Sequence, residues 1–252
     1  PGFKRGTELK TWRTLMETRE KNAAVVLAAG RGSRMHSQVQ KQFLLLNGKP
    51  VLCYSLEQFE ACPFLDEIVL VTGAEEVDFC RREIVEKYGY KKVTAVVPGG
   101  KERYHSVYNG LRSLSGCGYV FIHGGAGPFV DQAILARAHE DVRRFGACVV
   151  GMPVKDTIKL ADEEGWVEET PQRSRLWMVQ TPQVFSFPLI LRAYEKLMES
   201  GRTDMTDDSM VVESMEKVRV RLTEGSYRNI KITTPEDWAI AERFCRQEDG
   251  QG

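Results

Sequence analysis

Short apolar runs alternate with amphipathic segments of helix length over most of this 252-residue sequence. The first run, 23–28, ends in a glycine cluster, as a buried strand followed by a turn would. In the segment 131–145 the apolar residues recur at helical spacing, with the charged residues on the opposite face. The alternation predicts an α/β fold: a Rossmann-like, mostly parallel sheet with helices on both faces. The predicted strands are 23–28, 67–71, 93–97, 119–123 and 147–152, and the predicted helices between them are 51–60, 75–88, 103–115 and 131–145.

This alternation breaks between residues 153 and 182. Two segments there read as extended chain around a turn at 162–165, and a hairpin without a core of its own is rarely stable in water. We therefore expect an inserted β-arm for dimerisation, packed against a second subunit. The expected organisation is an N-terminal extension (1–22), a single domain (23–246) with the arm at about 153–182, and a C-terminal tail (247–252). After the arm the pattern predicts helices at 188–199, 206–216 and 235–246, with Thr206 as the N-cap of the second, and strands at 218–222 and 229–232.

Composition excludes several classes of function. Lysine plus arginine equals aspartate plus glutamate at 35 each, so no net field favours nucleic acid or an acidic membrane surface. No apolar run approaches the roughly 20 residues of a membrane span. The six cysteines contain no C-x-x-C pair, and the four histidines lack ligand spacing, so neither a zinc site nor a disulfide framework is expected. The sequence thus predicts no nucleic-acid partner, no membrane and a reducing compartment.

A glycine-rich segment, Leu-Ala-Ala-Gly-Arg-Gly-Ser-Arg-Met, occupies residues 27–35 after the first strand. Glycines at that point leave backbone N–H groups free to face an anion, and Arg31, Arg34 and Lys41 can add positive charge around a polyphosphate. The dinucleotide fingerprint fails because Met35 stands where its third glycine belongs, and the P-loop ending is absent. On spacing alone, a strand–turn–helix junction with solvated basic residues is an equal alternative. The glycine pair at 99–100 and the segment beginning at 123 also follow strands, so all three should lie at one edge of the sheet.

Further motifs, taken in order, are more specific. They are Gly-Gly-x-x-Arg-x-x-Ser (99–106), Pro-Val-x-Asp-Thr (153–157), Leu-Trp-x-x-Gln-Thr-Pro-Gln (176–183), Thr-Asp-Asp (206–208) and Asn-Ile-Lys-Ile-Thr (229–233). With Ala-Ala-Gly-x-Gly-x-Arg-Met and the later Lys-Gln-Phe, this set resembles the 2-C-methyl-D-erythritol 4-phosphate cytidylyltransferases of non-mevalonate isoprenoid synthesis. The resemblance extends from about residue 23 to 244. The CDP-ribitol-forming relatives are similar at both ends, so ribitol 5-phosphate is the alternative acceptor.

The resemblance implies transfer of a cytidylyl group from CTP to methylerythritol phosphate with release of pyrophosphate, assisted by Mg²⁺. It implies a homodimer whose arm reaches the neighbouring active site. Catalytic roles fall on Arg34, Lys41 and Lys231. CTP contacts fall on Ala28, Ala29, Gly30, Gly100 and Ser106, and contacts to the sugar-alcohol phosphate fall on Thr157, Arg173, Thr181, Thr206 and Asp207.

One segment departs from the pattern of this family. Where the family typically reads His-Asp-x-Ala-Arg-Pro, this chain reads His-Gly-Gly-Ala-Gly-Pro, so Gly124 replaces an expected metal-contacting aspartate and Gly127 an expected arginine. The sequence therefore predicts weak or absent turnover, with a non-catalytic CTP-binding homologue as an alternative. A hydrolase with a His-Gly-Gly oxyanion loop is disfavoured because no G-x-S-x-G turn is present. Bacterial cytoplasm is the expected location, with plastid stroma as the alternative.

Overall fold

The computed structural model describes residues 20–30 and 40–249. The strands are β1 (Asn22–Ala28), β2 (Leu45–Leu46), β3 (Lys49–Pro50), β4 (Glu67–Thr72), β5 (Val93–Pro98), β6 (Tyr119–Gly124), β7 (Ala147–Pro153), β8 (Leu160–Ala161), β9 (Val167–Glu169), β10 (Trp177–Ser186) and β11 (Arg221–Glu224). The helices are α1 (Val51–Ala61), the composite α2 (3₁₀ Ala74–Glu76, α Val77–Phe79, π Cys80–Glu86), α3 (Arg103–Ser113), α4 (Gln132–Phe145), α5 (Phe187–Ser200), α6 (Asp208–Glu216) and α7 (Pro235–Asp249).

Seven of these strands form one sheet in the order β11-β7-β10-β6-β1-β4-β5. Every pairing in it is parallel except the two made by β10, which runs antiparallel between β6 and β7. The predicted mostly parallel sheet is therefore confirmed. The five predicted apolar runs are β1, β4, β5, β6 and β7, because strands covered on both faces need no polar alternation.

Helices cover the sheet on both faces, as predicted. Along β1, Ala24 and Val26 pack with residues of α1, α2 and α4, whereas Ala23 and Val25 pack with residues of α3, α5 and α6. This division follows from the pleat, because successive side chains of a strand point to opposite faces. A smaller cluster around Ile232 joins β2, α1 and α7 beside the sheet.

The strand order reverses at β1. From β1 the chain passes through α1 to β4 on one side, and after β5 it returns through α3 to β6 on the other side of β1. In open α/β sheets, ligands bind outside the carboxyl ends of the strands at such a reversal. The fold therefore points to the carboxyl ends of β1 and β6 as the place for a site.

Three expectations about the second half of the chain need correction. The predicted arm ended at about 182, but residues 177–182 belong to β10, whose Trp177 pairs with Pro153 of β7, so the excursion from the main sheet covers 154–176. The predicted strand at 229–232 is absent, because its backbone groups are bonded in turns and to other loops. The N-cap of α6 is Asp207, not Thr206, since the Asp207 carboxylate accepts the N–H of Met210 at 2.8 Å.

The two short strands β8 and β9 form the tip of the arm, closed by a turn in which Asp162 Oδ1 accepts the N–H groups of Glu164 and Trp166. Within the described part of the chain, no helix combines the length and the apolar character that crossing a membrane requires.

Candidate active site

A cavity of about 740 Å³ lies at the carboxyl ends of β1, β5 and β6. It brings together three segments that the sequence analysis placed at one edge of the sheet, and Lys41 and Lys231 join them from distant parts of the chain. The lining residues are Leu27, Ala29, Gly30, Lys41, Gln42, Gly100, Lys101, Glu102, Arg103, Ser106, Gly124, Gly125, Ala126, Lys231 and Thr233.

Most of the predicted nucleotide residues therefore lie together. Ala29, Gly30, Gly100 and Ser106 line the cavity, whereas Ala28 is buried at the end of β1. Arg34, predicted to be catalytic, lies outside the described residues.

The Gly99–Ser106 segment is shaped for close approach of a ligand to the backbone. Ser106 Oγ accepts the N–H of Gly100 at 3.1 Å and donates to the carbonyl of Glu102 at 3.2 Å. A Cβ at Gly100 would lie 2.3 Å from Cβ of His105, so only glycine fits there. The serine hydroxyl thus fixes the turn at the start of α3 and leaves the glycine backbone facing the cavity.

Gln42 is a site residue that the sequence reasoning missed. Its side chain is buried, and its amide nitrogen donates to the carbonyls of Ala28 and Gly30 at 2.5 and 3.1 Å. Satisfying these two carbonyls fixes the backbone at 28–30, and the adjacent Lys41 lies at the cavity wall. The Lys-Gln-Phe motif could have indicated Gln42, but the sequence analysis assigned a role only to its lysine.

Arg103 was also missed, although it stands in the Gly-Gly-x-x-Arg-x-x-Ser motif. Arg103 is among the residues that line the cavity, and its guanidinium donates to both carboxylate oxygens of Asp208, at 2.8 and 2.6 Å. Asp208 is fully buried, and Tyr194 donates its hydroxyl to the same carboxylate at 2.5 Å. Burial and the Asp208 charge raise the pKa of Tyr194 well above its ordinary value, which keeps the donor protonated. This bidentate pair ties the start of α3 to the start of α6.

The loop after β6 carries the two unexpected glycines. Gly124 lines the cavity, and nothing lies within 4 Å of a Cβ placed on it, so a side chain there would have room. A Cβ on Gly127 would lie 3.3 Å from the carbonyl oxygen of Gly124 and from the imidazole of His123. The loop is held by backbone bonds from Gly125 to Leu27 at 2.8 Å and from Gly127 to Gly124 at 2.9 Å.

The imidazole of His123 holds this loop by a hydrogen bond to its backbone. Its Nε2 lies 2.9 Å from the carbonyl oxygen of Gly127, and a carbonyl only accepts, so this nitrogen carries the proton. The ring is fully buried, and its Nδ1 has no partner among the described residues. Burial lowers the pKa of His123 to about 4, with a smaller lowering from the positive charge of Lys231. The imidazole is therefore neutral at physiological pH and acts as a structural donor.

This buried neutral histidine predicts acid sensitivity. Because its folded pKa of about 4 lies below the ordinary 6.5, the unfolded chain binds the proton first, and stability is lost as pH falls from 6.5 through 4. We expect this group to remove about 3 kcal/mol of unfolding free energy over that window. The free energy of unfolding in urea, measured between pH 6.5 and 4, is compared for the natural chain and for His123→Gln. The glutamine keeps a hydrogen-bond donor for the carbonyl of Gly127 but does not titrate. Equal losses in both proteins would contradict the assignment.

None of the five predicted acceptor contacts is among the cavity-lining residues. Thr181 lies nearest, with its Oγ1 3.5 Å from the N–H of Gly124, and Asp207 accepts from Gln183 at 3.0 Å while capping α6. Thr206 is exposed and donates to Met210 Sδ at 3.5 Å. Thr157 and Arg173 are exposed on the arm, where Arg173 donates to the carbonyl of Lys155 at 3.1 Å.

The described residues do not fit a protein-held metal ion. No group of three or more histidine, cysteine, aspartate or glutamate side chains among them could hold one. Glu102 is the one acidic residue among those that line the described cavity, and its side chain caps α3 by accepting from His105. The expected ligand position, Gly124, has no side chain.

The sequence and the fold both match proteins of known type. A family model for 2-C-methyl-D-erythritol 4-phosphate cytidylyltransferase matches residues 22–247. The chain is 48% identical to the protein of that name from Lachnospira eligens and 46% identical to that from Caldanaerobacter subterraneus subsp. tengcongensis, each match covering 89% of this chain and 99% of the relative. The crystal structure of 4-diphosphocytidyl-2C-methyl-D-erythritol synthase from Anaerococcus prevotii superimposes with a TM-score of 0.78 at 31% identity, covering 90% of this chain and 99% of the other.

The motifs at 28–35, 41–43, 99–106 and 229–233 all contribute residues to one cavity. With this breadth of match, the chain belongs to the 2-C-methyl-D-erythritol 4-phosphate cytidylyltransferase family.

Proposed function

We propose that this chain transfers the cytidylyl group of CTP to 2-C-methyl-D-erythritol 4-phosphate, giving CDP-methylerythritol and pyrophosphate. The observation that carries the proposal is the cavity at the strand reversal. Its lining includes Gly30, Gly100 and Ser106 together with Lys41 and Lys231, which approach from different segments. Family membership supplies the identity of the two substrates.

In this proposal the nucleotide spans the cavity. The backbone at Gly100 and the side chain of Ser106 face the cytosine and ribose end. The backbone of Ala28, Ala29 and Gly30 faces the triphosphate, since glycine and alanine allow an anion to approach main-chain N–H groups. Lys41 and Arg34 hold the phosphates.

The reaction needs orientation and charge compensation more than proton transfer. A phosphate oxygen of the acceptor attacks the α-phosphorus of CTP, the bond between the α-phosphorus and its bridging oxygen to the β-phosphate breaks, and pyrophosphate leaves. The nucleophile is already an anion, so no base is required. Two anions must meet, and positive groups at fixed positions stabilise the charge that develops. Lys41 and Lys231, which both line the cavity, are proposed for that role.

The acceptor is proposed to bind between two copies of the chain. Thr157 and Arg173 lie on the arm and outside the cavity of their own chain, which suits contact with a neighbouring active site. The arm also exposes apolar side chains, with Trp166 71% exposed and Val167 59% exposed, which a second subunit would cover. Thr181, Thr206 and Asp207 are proposed to complete the acceptor side, and residues 23–246 to act as one domain.

Magnesium is proposed as the divalent cation, carried by the oxygens of the triphosphate, because hard cations prefer oxygen ligands. The missing carboxylate at Gly124 predicts slow turnover with nucleotide binding retained. Cytoplasm is the proposed setting, since the relatives named above are bacterial.

Pyrophosphate release with CTP and Mg²⁺ tests this proposal directly. We expect release with methylerythritol phosphate, at a low rate, and none above background with ribitol 5-phosphate or without an acceptor. Release with ribitol 5-phosphate instead would reassign the acceptor. If no acceptor gives pyrophosphate release but calorimetry shows that CTP binds, the result would support the non-catalytic alternative.

A further inference from the structure

Lys231 lies in a segment without regular secondary structure, although it faces the cavity. The position of a long, flexible side chain on an irregular segment depends on how well the backbone on either side of it is held. On its carboxyl side, Ile232 is fully buried and its N–H donates to the carbonyl of Ala126, in the loop after β6, at 2.8 Å. On its amino side the backbone is held by side chains.

Gln180 of β10 makes the first of these contacts. Its Nε2 donates to the carbonyl of Ser226 at 2.7 Å, and its Oε1 accepts the N–H of Ser226 at 3.4 Å. A Cβ on Gly225 would lie 2.3 Å from this oxygen, so the chain passes close to the amide only because a glycine precedes Ser226.

Asn229 completes the arrangement. Its side chain is buried, and its Nδ2 donates to the carbonyl of Thr181 at 2.9 Å and to Oε1 of Gln180 at 3.3 Å. Two side-chain amides thus join β10 to the segment that ends at Lys231. They stand in two different sequence motifs, and neither had been given a role.

We infer that Gln180 and Asn229 are positioning residues that form an amide clamp, Gln180–Ser226–Asn229, which holds Lys231 at the cavity. Neither amide is among the residues that line the cavity, so both act through Lys231. The inference rests on the proposed function, in which Lys231 stabilises charge on the nucleotide.

The test is a double-mutant cycle between the clamp and the lysine. The variants are Gln180→Ala, Asn229→Asp, Lys231→Ala and the doubles with Lys231→Ala. Asn229→Asp keeps the shape but removes the donor to Thr181. Gln132→Ala is the matched control for Gln180→Ala. Gln132 is half-buried like Gln180, and its Nε2 donates to the main-chain carbonyl of Gln58 at 2.7 Å. It is not among the residues that line the cavity.

We expect each clamp variant to lower turnover at saturating CTP by about 10-fold to 100-fold, as displacement of a charged group by about 1 Å does. In the Lys231→Ala background the same changes should lower it no further, since the clamp would then have nothing left to position. Gln132→Ala should match the natural chain. Thermal unfolding of Gln180→Ala should stay within a few degrees of it because Gln180 is only half-buried, whereas Asn229→Asp should unfold earlier because it sets a buried carboxylate against the carbonyl of Thr181.

Additive losses in the double variants would overturn the inference, as would clamp variants that behave like Gln132→Ala. If the natural chain shows no turnover with any acceptor, the proposed function fails, and the same cycle is then read from CTP affinity by calorimetry. A natural chain that neither turns over nor binds CTP would overturn both proposals.

Discussion

Gly124→Asp is expected to raise the rate of pyrophosphate release about 100-fold over that of the natural chain. Gly124 lines the cavity at the end of β6, and a Cβ placed on it meets nothing within 4 Å, so the aspartate can be added without displacing a neighbour. Its carboxylate would supply an oxygen ligand for the divalent cation, and among the described lining residues Glu102 is otherwise the one acid. One electrostatic contact of this kind commonly changes a rate by 10²-fold or more.

Two further variants separate charge from shape. Gly124→Asn has nearly the same volume without the negative charge, and it should leave the rate within a few-fold of the natural one. Gly127→Arg added to Gly124→Asp should give a smaller further gain, because its Cβ meets His123 and the carbonyl of Gly124 at 3.3 Å. Initial rates of pyrophosphate release at saturating CTP measure all of them. Unchanged activity in the double variant would mean that this loop does not limit the reaction.

Asp208→Ala is expected to lower the free energy of unfolding by about 3 kcal/mol, the lower end of the cost of breaking a buried pair, because the Arg103 side chain left behind is 36% exposed. The carboxylate is fully buried, and the change leaves Arg103 and the hydroxyl of Tyr194 without their acceptor. The melting temperature should fall by roughly 10 °C, since 1 kcal/mol corresponds to about 2–4 °C in a chain of this size.

Asp204→Ala is the matched control for this loss. Asp204 also accepts from an arginine, Arg202, at 2.7 Å, but the pair is exposed to solvent, so its loss should leave the melting temperature nearly unchanged. Tyr194→Phe removes a single buried hydrogen bond to a charged group and should cost about 1.5–3 kcal/mol. Similar melting temperatures for Asp208→Ala and Asp204→Ala would show that burial does not strengthen the Arg103 pair.

The strands that frame the site were predictable from the sequence because each reads as a short apolar run. β1 and β6 are almost entirely buried, whereas β5 is a half-buried edge strand. β10 was not predictable, since its first residues, Trp177 to Pro182, carry a family motif and read as part of a site rather than of a sheet. Its strand character depends on pairing with β6 and β7, which no local pattern reveals.

The same limit applies to individual side chains. Glycines and lysines near the ends of strands indicated a phosphate-binding edge, and the cavity is lined by them. The sequence could not predict the roles of Gln42, Arg103 and Gln180, because these side chains bond to partners 12 to 105 positions away along the chain. Conversely, 229–232 has the composition of a strand but forms none, because its polar groups bond to side chains and loops instead.

The arm leaves the sheet at Pro153 and returns at Trp177, and these two residues face each other across neighbouring antiparallel strands. Partners in such a ladder lie only about 5 Å apart, so the whole excursion starts and ends at nearly one point. Insertions, deletions or exchanges within 154–176 therefore leave the register of the strands outside the arm unchanged. If the arm binds the acceptor and a second subunit as proposed, both properties can be changed by grafting 154–176 without altering the strands that frame the nucleotide cavity.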